Sequence, residues 1–240
     1  MIDGNYRSQI RQDRFYIEEY LPKVGIDPFA YQGKFLEVGA HDGTTTSNTW
    51  ALEVVYGWRG TLVEANPSLV RQCELDRPRS RVIEGVAWGS VLDLEFEFPG
   101  HNGTGDSQLA RVANLPNNRD YFAEEFAQRA VYRVRTRTLA EMLGPGMHHY
   151  DYCSIDVEGA ELEALKGIDW DTTSFDYVAV EWGDRKDYLN ELIDYLARVG
   201  YRVYRVNHHD VDFVPLDPYA LDPYDDDDDD DDFADLAAPR

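Results

Sequence analysis

Four short apolar runs in this 240-residue chain each meet a carboxylate and then give way to a polar or glycine-containing stretch. They are Phe35-Leu36-Glu37-Val38, Thr61-Leu62-Val63-Glu64, Tyr152-Cys153-Ser154-Ile155-Asp156 and Asp176-Tyr177-Val178-Ala179-Val180-Glu181. Near-continuous apolar runs of this length are expected to be strands buried on both faces. Helical patterns separate them: 49–55, a segment opened by Asn66-Pro67-Ser68, 160–166 ended by Gly167, and 187–199 ended by Gly200. Strand and helix in alternation predict an α/β fold, a mainly parallel central sheet with helices on both faces.

Arg81-Val82-Ile83-Glu84 and Tyr201 to Val206 supply two further strands, and residues 8–21 form an expected N-terminal helix that Pro22 closes. Residues 92–98 and 132–136 alternate strictly, which predicts an antiparallel addition with one wet face. We expect one domain over 1–214. Residues 215–240 hold eight consecutive aspartates, Asp225 to Asp232, and are expected to be a disordered acidic tail, because like charges in a block cannot form a core.

The formal charge is −23, and that run supplies eight of the negative charges, leaving −15 on the rest. Such a surface repels phosphate backbones, so a nucleic-acid partner is not expected. No apolar run is long enough to span a bilayer, and the first residues lack a signal-type segment, so neither membrane insertion nor export is expected and the location is read as cytoplasmic. Cys73 and Cys153 fall in helical and strand patterns and are expected to be packing residues.

Ligands of an open α/β sheet collect at the carboxyl ends of its strands, and there the chain places Glu37, Glu64, Asp156 and Glu181. The loop Glu37-Val38-Gly39-Ala40-His41-Asp42-Gly43 has His41 and Thr44 where a dinucleotide fingerprint needs glycine, which disfavours a nicotinamide cofactor. It suits instead a cofactor whose amino-acid ammonium is drawn to an acidic rim. Glu64 stands where a carboxylate accepts both ribose hydroxyls. Gly85-Val86-Ala87, after the third strand, is placed to wall a base, and Asn48 stands where a helix N-terminal residue satisfies backbone donors.

The segment Asp156-Val157-Glu158-Gly159-Ala160-Glu161, between an apolar strand and a helix ending in glycine, strongly resembles the FkbM-type methyltransferases. Further matches are Ser8-Gln9, Gln12-Asp13, the loop from Glu37 to Gly43, Ser47-Asn48-Thr49, Gly57-Trp58-Arg59-Gly60 and Val63-Glu64-Ala65-Asn66-Pro67. The resemblance spans roughly residues 8–206, departing at Arg11 and in the acidic tail.

It implies a Rossmann-like class I methyltransferase fold, S-adenosylmethionine as donor, and O-methylation of a small-molecule or glycan acceptor. Carried onto this sequence, Glu37, Gly39, His41, Asp42, Gly43, Asn48, Glu64, Ala65, Val86 and Asp156 would hold the cofactor.

A sulfonium already activates its methyl group, so one well-placed proton acceptor suffices. The candidates are Asp156, Glu158 and Glu181, with His41 and His208 behind them. Glu158 is alternatively a first-turn helix carboxylate; Glu161 and Glu163 read as ordinary helix residues, at least one of them exposed. Asp156 and Glu181 could instead share a Mg²⁺ with the acceptor hydroxyls. Tyr121, Phe122, Phe126 and the loop 99–118 would form a lid over a sugar ring, or those aromatics, at helical spacing, pack as core. The alternative to an enzyme is a catalytically silent cofactor- or sugar-binding module of the same fold.

Overall fold

The structure, a computed structural model, describes residues 4–99, 109–115 and 127–216. The expected lid aromatics Tyr121, Phe122 and Phe126, most of the loop 99–118 and all of the acidic tail beyond Leu216 lie outside the described residues.

The main sheet has seven strands in the order β12-β13-β11-β9-β1-β2-β3. These are β1 (Lys34–Val38), β2 (Arg59–Glu64), β3 (Arg81–Glu84), β9 (Tyr152–Ile155), β11 (Val178–Glu181), β12 (Tyr201–Val206) and β13 (Asp210–Pro215). β3, β2, β1, β9 and β11 run parallel, and β13 inserts antiparallel between β11 and β12. The chain leaves β1 for β2 on one side and returns to β9 on the other, so the strand order reverses between β1 and β9. In open α/β sheets such a reversal marks the crevice at the carboxyl ends of the two strands where ligands bind.

Both faces are covered because successive side chains point to opposite sides. On one, Leu36, Val38, Cys153, Ile155, Val178 and Val180 pack beneath α6 (Glu161–Lys166), α7 (Lys186–Arg198) and the short α5 (Leu139–Leu143). Helix α7 presents Tyr188, Leu189, Leu192 and Leu196 to this core, one stripe at helical spacing. On the other face, Phe35, Leu62, Tyr152, Tyr177 and Ala179 meet the N-terminal helical segment, α3 (Trp50–Val54) and α4 (Pro67–Asp76). Each such buried aliphatic or aromatic side chain contributes about 1.5–3 kcal/mol. Both cysteines are buried and unbridged, as expected of packing residues.

The antiparallel addition is present. β5 (Asp93–Pro99) pairs with β7 (Arg129–Arg137) and with β6 (Arg111–Val112), and β7 also pairs with β4 (Val86–Ala87). Among the described residues no helix is long and apolar enough to cross a membrane.

The structure departs from the sequence reading in three places. The N-terminal helical segment runs from α1 (Gln12–Phe15) through a π turn (Tyr16–Tyr20) to α2 (Leu21–Lys23), so Pro22 lies within it. Proline is tolerated there because it falls in the first turn of the α-helical piece that follows the π turn. The polar stretch after β12 is not the end of the sheet: β13 follows, with Val211 and Phe213 in the core and Asp210 and Asp212, alternating with them, also buried. Arg205 bonds Asp212 at 2.7 Å and Gln12 donates to Asp210 at 2.8 Å, so the alternate carboxylates that resemble a solvated loop are satisfied inside the fold. Thirdly, α5 was not anticipated, although Thr138 and Glu141 form a reciprocal capping box at its start.

Burial, with the charges of Asp212 and Glu181 adding to it and Gln12 opposing, pushes Asp210 up to about 8. An unfolded aspartate releases its proton near pH 4. Between about pH 4 and 8 the folded chain therefore holds a proton that the unfolded chain has lost, and each rise in pH across that window destabilises the fold. Asp210→Asn is expected to flatten this slope and to raise stability at pH 8, measured by urea unfolding at pH 5, 6.5 and 8. A slope unchanged by the substitution would contradict the assignment.

Candidate active site

Strand register fixes the level of each rim carboxylate. Val38 pairs with Val63 and Ile155, and Ile155 pairs with Val180, so Gly39, Glu64, Asp156 and Glu181 stand one rung further on, at a common level. Glu37 pairs with Leu62 and Ser154, two rungs deeper. It is therefore not on the rim.

The buried Glu37 carboxylate accepts from Asn48 N at 2.7 Å, Thr49 Oγ1 at 2.6 Å and Ser47 Oγ at 3.0 Å, with Arg77 Nη1 at 3.7 Å. Burial pushes its carboxyl up and the Arg77 charge and these hydrogen bonds pull it back. Glu37 thus ties β1 to the polar stretch 47–49 and sets that stretch against the crevice.

Gly39 has φ of 90°, and a Cβ built on it would lie 1.7 Å from the Asp156 carbonyl oxygen. Only glycine lets the loop after β1 pass that close to the loop after β9. His41 also has a positive φ, 51°, and its N–H donates to Glu64 Oε2 at 2.8 Å. Asp42 closes an Asx turn by accepting from the Thr44 and Thr45 amides and the Thr45 hydroxyl. Burial would raise Asp42, but those hydrogen bonds, led by the Thr45 hydroxyl, hold it below the usual carboxylate range. Gly43, at φ of 77°, gives its carbonyl to Arg77 Nη1 at 2.8 Å.

Glu64 ends β2 and is 8% exposed. It accepts from the Asn66 amide at 2.7 Å as well as from His41, and burial pushes it up to about 7. Ala65 and Val86 join Val157 in one apolar cluster with Trp88, Phe96 and Val112, which gives the crevice an apolar wall on the Glu64 side. Asn48 does not cap α3. Its Nδ2 donates to Ser154 Oγ at 2.9 Å, and its buried Oδ1 accepts no hydrogen bond from the described residues.

Asp156, Glu158 and Glu181 come together, with one oxygen from each lying within 4.8 Å of the others. Burial raises Asp156 well above the usual range. The charges of Glu158, Asp210 and Glu161 add to this, and a hydrogen bond with Glu181 opposes it. Glu158 has φ of 56° and precedes α6, so it is not a first-turn helix residue. Glu163 pairs with Lys166 at 2.6 Å, as an ordinary helix residue would. Glu161 does not behave as one: it is 1% exposed and bonded back to the preceding turn. His208 is exposed in the β12–β13 turn, next to His209, whose carbonyl accepts from the Trp182 and Gly183 amides just after Glu181.

Arg77 escaped the sequence reading altogether. Fully buried, it spends all five N–H groups: Nε on Glu53, Nη1 on the Gly43 carbonyl and Ser47 Oγ, Nη2 on the Thr49 carbonyl and hydroxyl. One guanidinium thus holds both ends of the loop from Gly43 to Thr49. The segment around it, Asp76-Arg77-Pro78-Arg79-Ser80, carries no local sign of burial.

The family described as the methyltransferase FkbM domain matches this chain over residues 37–203. Among solved structures, a methyltransferase FkbM from Methylobacillus flagellatus KT is similar at 17% identity and a TM-score of 0.45, covering 76% of this chain and 43% of its own. The METTL16 MTase domain is similar at 13% identity and 0.46, covering 88% and 70%. A putative RNA methyltransferase from Pyrococcus horikoshii is similar at 10% identity and 0.44, covering 88% and 87%. The chain thus spans less than half the length of the Methylobacillus protein. No curated protein matches the sequence.

Proposed function

Because this chain belongs to the FkbM methyltransferase family, with its Rossmann-like class I fold, we propose that it transfers a methyl group from S-adenosylmethionine to a hydroxyl of a sugar, glycan or natural product. The observation that carries the reading is the convergence of Asp156, Glu158 and Glu181 at the strand rim, beside the crevice where the strand order reverses.

The residues around that crevice fit the cofactor. Asn48 Oδ1 is a buried acceptor still lacking a donor, which an ammonium supplies. The side-chain-free Gly39 leaves the loop open to close approach. Glu64 keeps acceptor capacity for a ribose diol beside its two amide bonds, and Ala65, Val86 and Val157 offer an apolar surface to a base. Glu37, His41, Asp42 and Gly43 shape this site through the loop they hold. The cofactor, when bound, supplies a methyl group already activated by its sulfonium.

What remains for the chain is to orient an acceptor oxygen and take its proton. Asp156 and Glu181, sharing a hydrogen bond, act as a pair in which one carboxylate accepts that proton while the other steadies it. Glu158 completes an acidic wall that favours neutral, hydroxyl-rich acceptors over phosphorylated ones, in keeping with the acidic body of the chain.

Transfer of a labelled methyl group from the donor to a panel of hydroxylated sugars and aglycones tests this. Activity is expected with at least one acceptor and is expected to fall about 10²-fold or more in Asp156→Asn. Donor binding without turnover on any acceptor would favour the silent binding module. The second reading of the same acids is metal-assisted, with Asp156 and Glu181 sharing a Mg²⁺ with the acceptor hydroxyls. It separates from direct proton transfer in excess chelator: activity that persists supports the carboxylates acting alone, and activity that is lost and restored by Mg²⁺ supports the metal.

A further inference from the structure

The turn Asp156-Val157-Glu158-Gly159 has a left-handed residue at Glu158, φ 56°, followed by Gly159 at 95°. A non-glycine residue in that region is strained and persists only where its surroundings fix it. The fixing group is Glu161. Its Oε1 accepts from Val157 N at 3.1 Å and from Gly159 N at 2.9 Å, one amide on each side of Glu158.

Its Oε2 accepts from the Tyr188 hydroxyl at 2.9 Å, and the same hydroxyl accepts from the Leu162 amide at 2.9 Å. Tyr188 is buried on α7, so the turn is referenced to a helix of the core rather than to solvent. The turn in turn bears on the cofactor loop, since Gly39 passes the Asp156 carbonyl and the Val157 side chain.

We infer that Glu161 is a positioning residue: its carboxylate, bridging Val157 N, Gly159 N and Tyr188, holds the turn in the shape that brings Glu158 to Asp156 and Glu181 and seats the Gly39 loop. It acts through that turn, and its functional consequence rests on the cofactor reading given above.

The distinction between charge and shape makes this testable in the full chain. Glu161→Gln keeps a carbonyl oxygen for both amides, so native hydrogen exchange at Val157 and Gly159 and affinity for S-adenosylhomocysteine within about threefold of wild type are expected. Glu161→Ala removes the bridge. Exchange at those two amides should accelerate roughly tenfold or more, and affinity should fall by about the same factor. Tyr188→Phe loses only the anchor and is expected to lie between the two, which keeps the test decisive should Glu161→Ala fail to fold.

Native exchange and affinity in Glu161→Ala, or in Tyr188→Phe if the alanine variant is unfolded, would overturn the inference. So would a Gln variant as weak as the Ala variant despite protected amides, since that would assign the effect to charge. If the wild-type chain binds no S-adenosylhomocysteine, the cofactor reading fails and the exchange data alone decide whether Glu161 shapes the turn.

Discussion

Arg77→Ala is expected to lower stability by about 3–5 kcal/mol, because removing one partner of a buried ionic network leaves the others charged and unpaired. For a chain of this size that corresponds to a fall in Tm of roughly 6–20 °C. The groups left behind are the Glu53 carboxylate, 2% exposed, the Glu37 carboxylate, and the carbonyls of Gly43 and Thr49. Arg77→Lys should recover only part of the loss, since an ammonium cannot reach five acceptors that a planar fork satisfies together. Thermal unfolding followed by circular dichroism measures both. A Tm within about 2 °C of wild type for the alanine variant would mean that the loop from Gly43 to Thr49 is held some other way.

The second large effect concerns Glu64. Under the cofactor reading its carboxylate accepts from a ribose diol, and a hydrogen bond to a charged group contributes about 1.5–3 kcal/mol. Glu64→Ala is therefore expected to weaken S-adenosylhomocysteine binding by roughly 10- to 100-fold or more. Glu64→Gln should be milder, because its one amide oxygen still serves one of the two amides that Oε2 and Oε1 take, His41 N or Asn66 N, and only the other loses its acceptor. Since burial pushes Glu64 up to about 7, wild-type affinity should also rise as pH climbs through neutrality and the carboxylate becomes fully ionised. The glutamine variant lacks this group and should lose that part of the dependence. Equal affinities for wild type and Glu64→Ala at pH 8 would remove Glu64 from the cofactor site.

What the sequence revealed and what it hid divide along one physical line. Buried parallel strands need continuous apolar runs, so β1, β2, β9 and β11 were visible residue by residue, and the carboxylates after three of them followed. The convergence of Asp156, Glu158 and Glu181 was legible because each sits at or just past a strand end, a position that topology alone carries to one rim.

Polar groups buried with partners distant in sequence were not legible. Arg77 meets Glu53 and Thr49 from more than twenty residues away, and Asp210 meets Gln12 from 198 residues away. Their burial depends on those partners, and a local window sees only a charge that belongs in water. β13 is hidden for the same reason, because Asp210 and Asp212, alternating with the core residues Val211 and Phe213, are buried against Gln12 and Arg205. Glu37 was visible but misplaced: it lies before the last residue of its strand, and only the register shows that it falls two rungs below the rim. Glu161 had the sequence position of a helix surface residue, and its role lies in a turn that bends back onto it.

Calorimetric titration of the full chain with S-adenosylhomocysteine tests the central claim most directly. One site of micromolar affinity is expected at pH 8, weakened in Glu64→Ala and Asp156→Ala and undisturbed by NAD. A folded wild-type chain that takes up no S-adenosylhomocysteine, or that takes up NAD in its place, would contradict it.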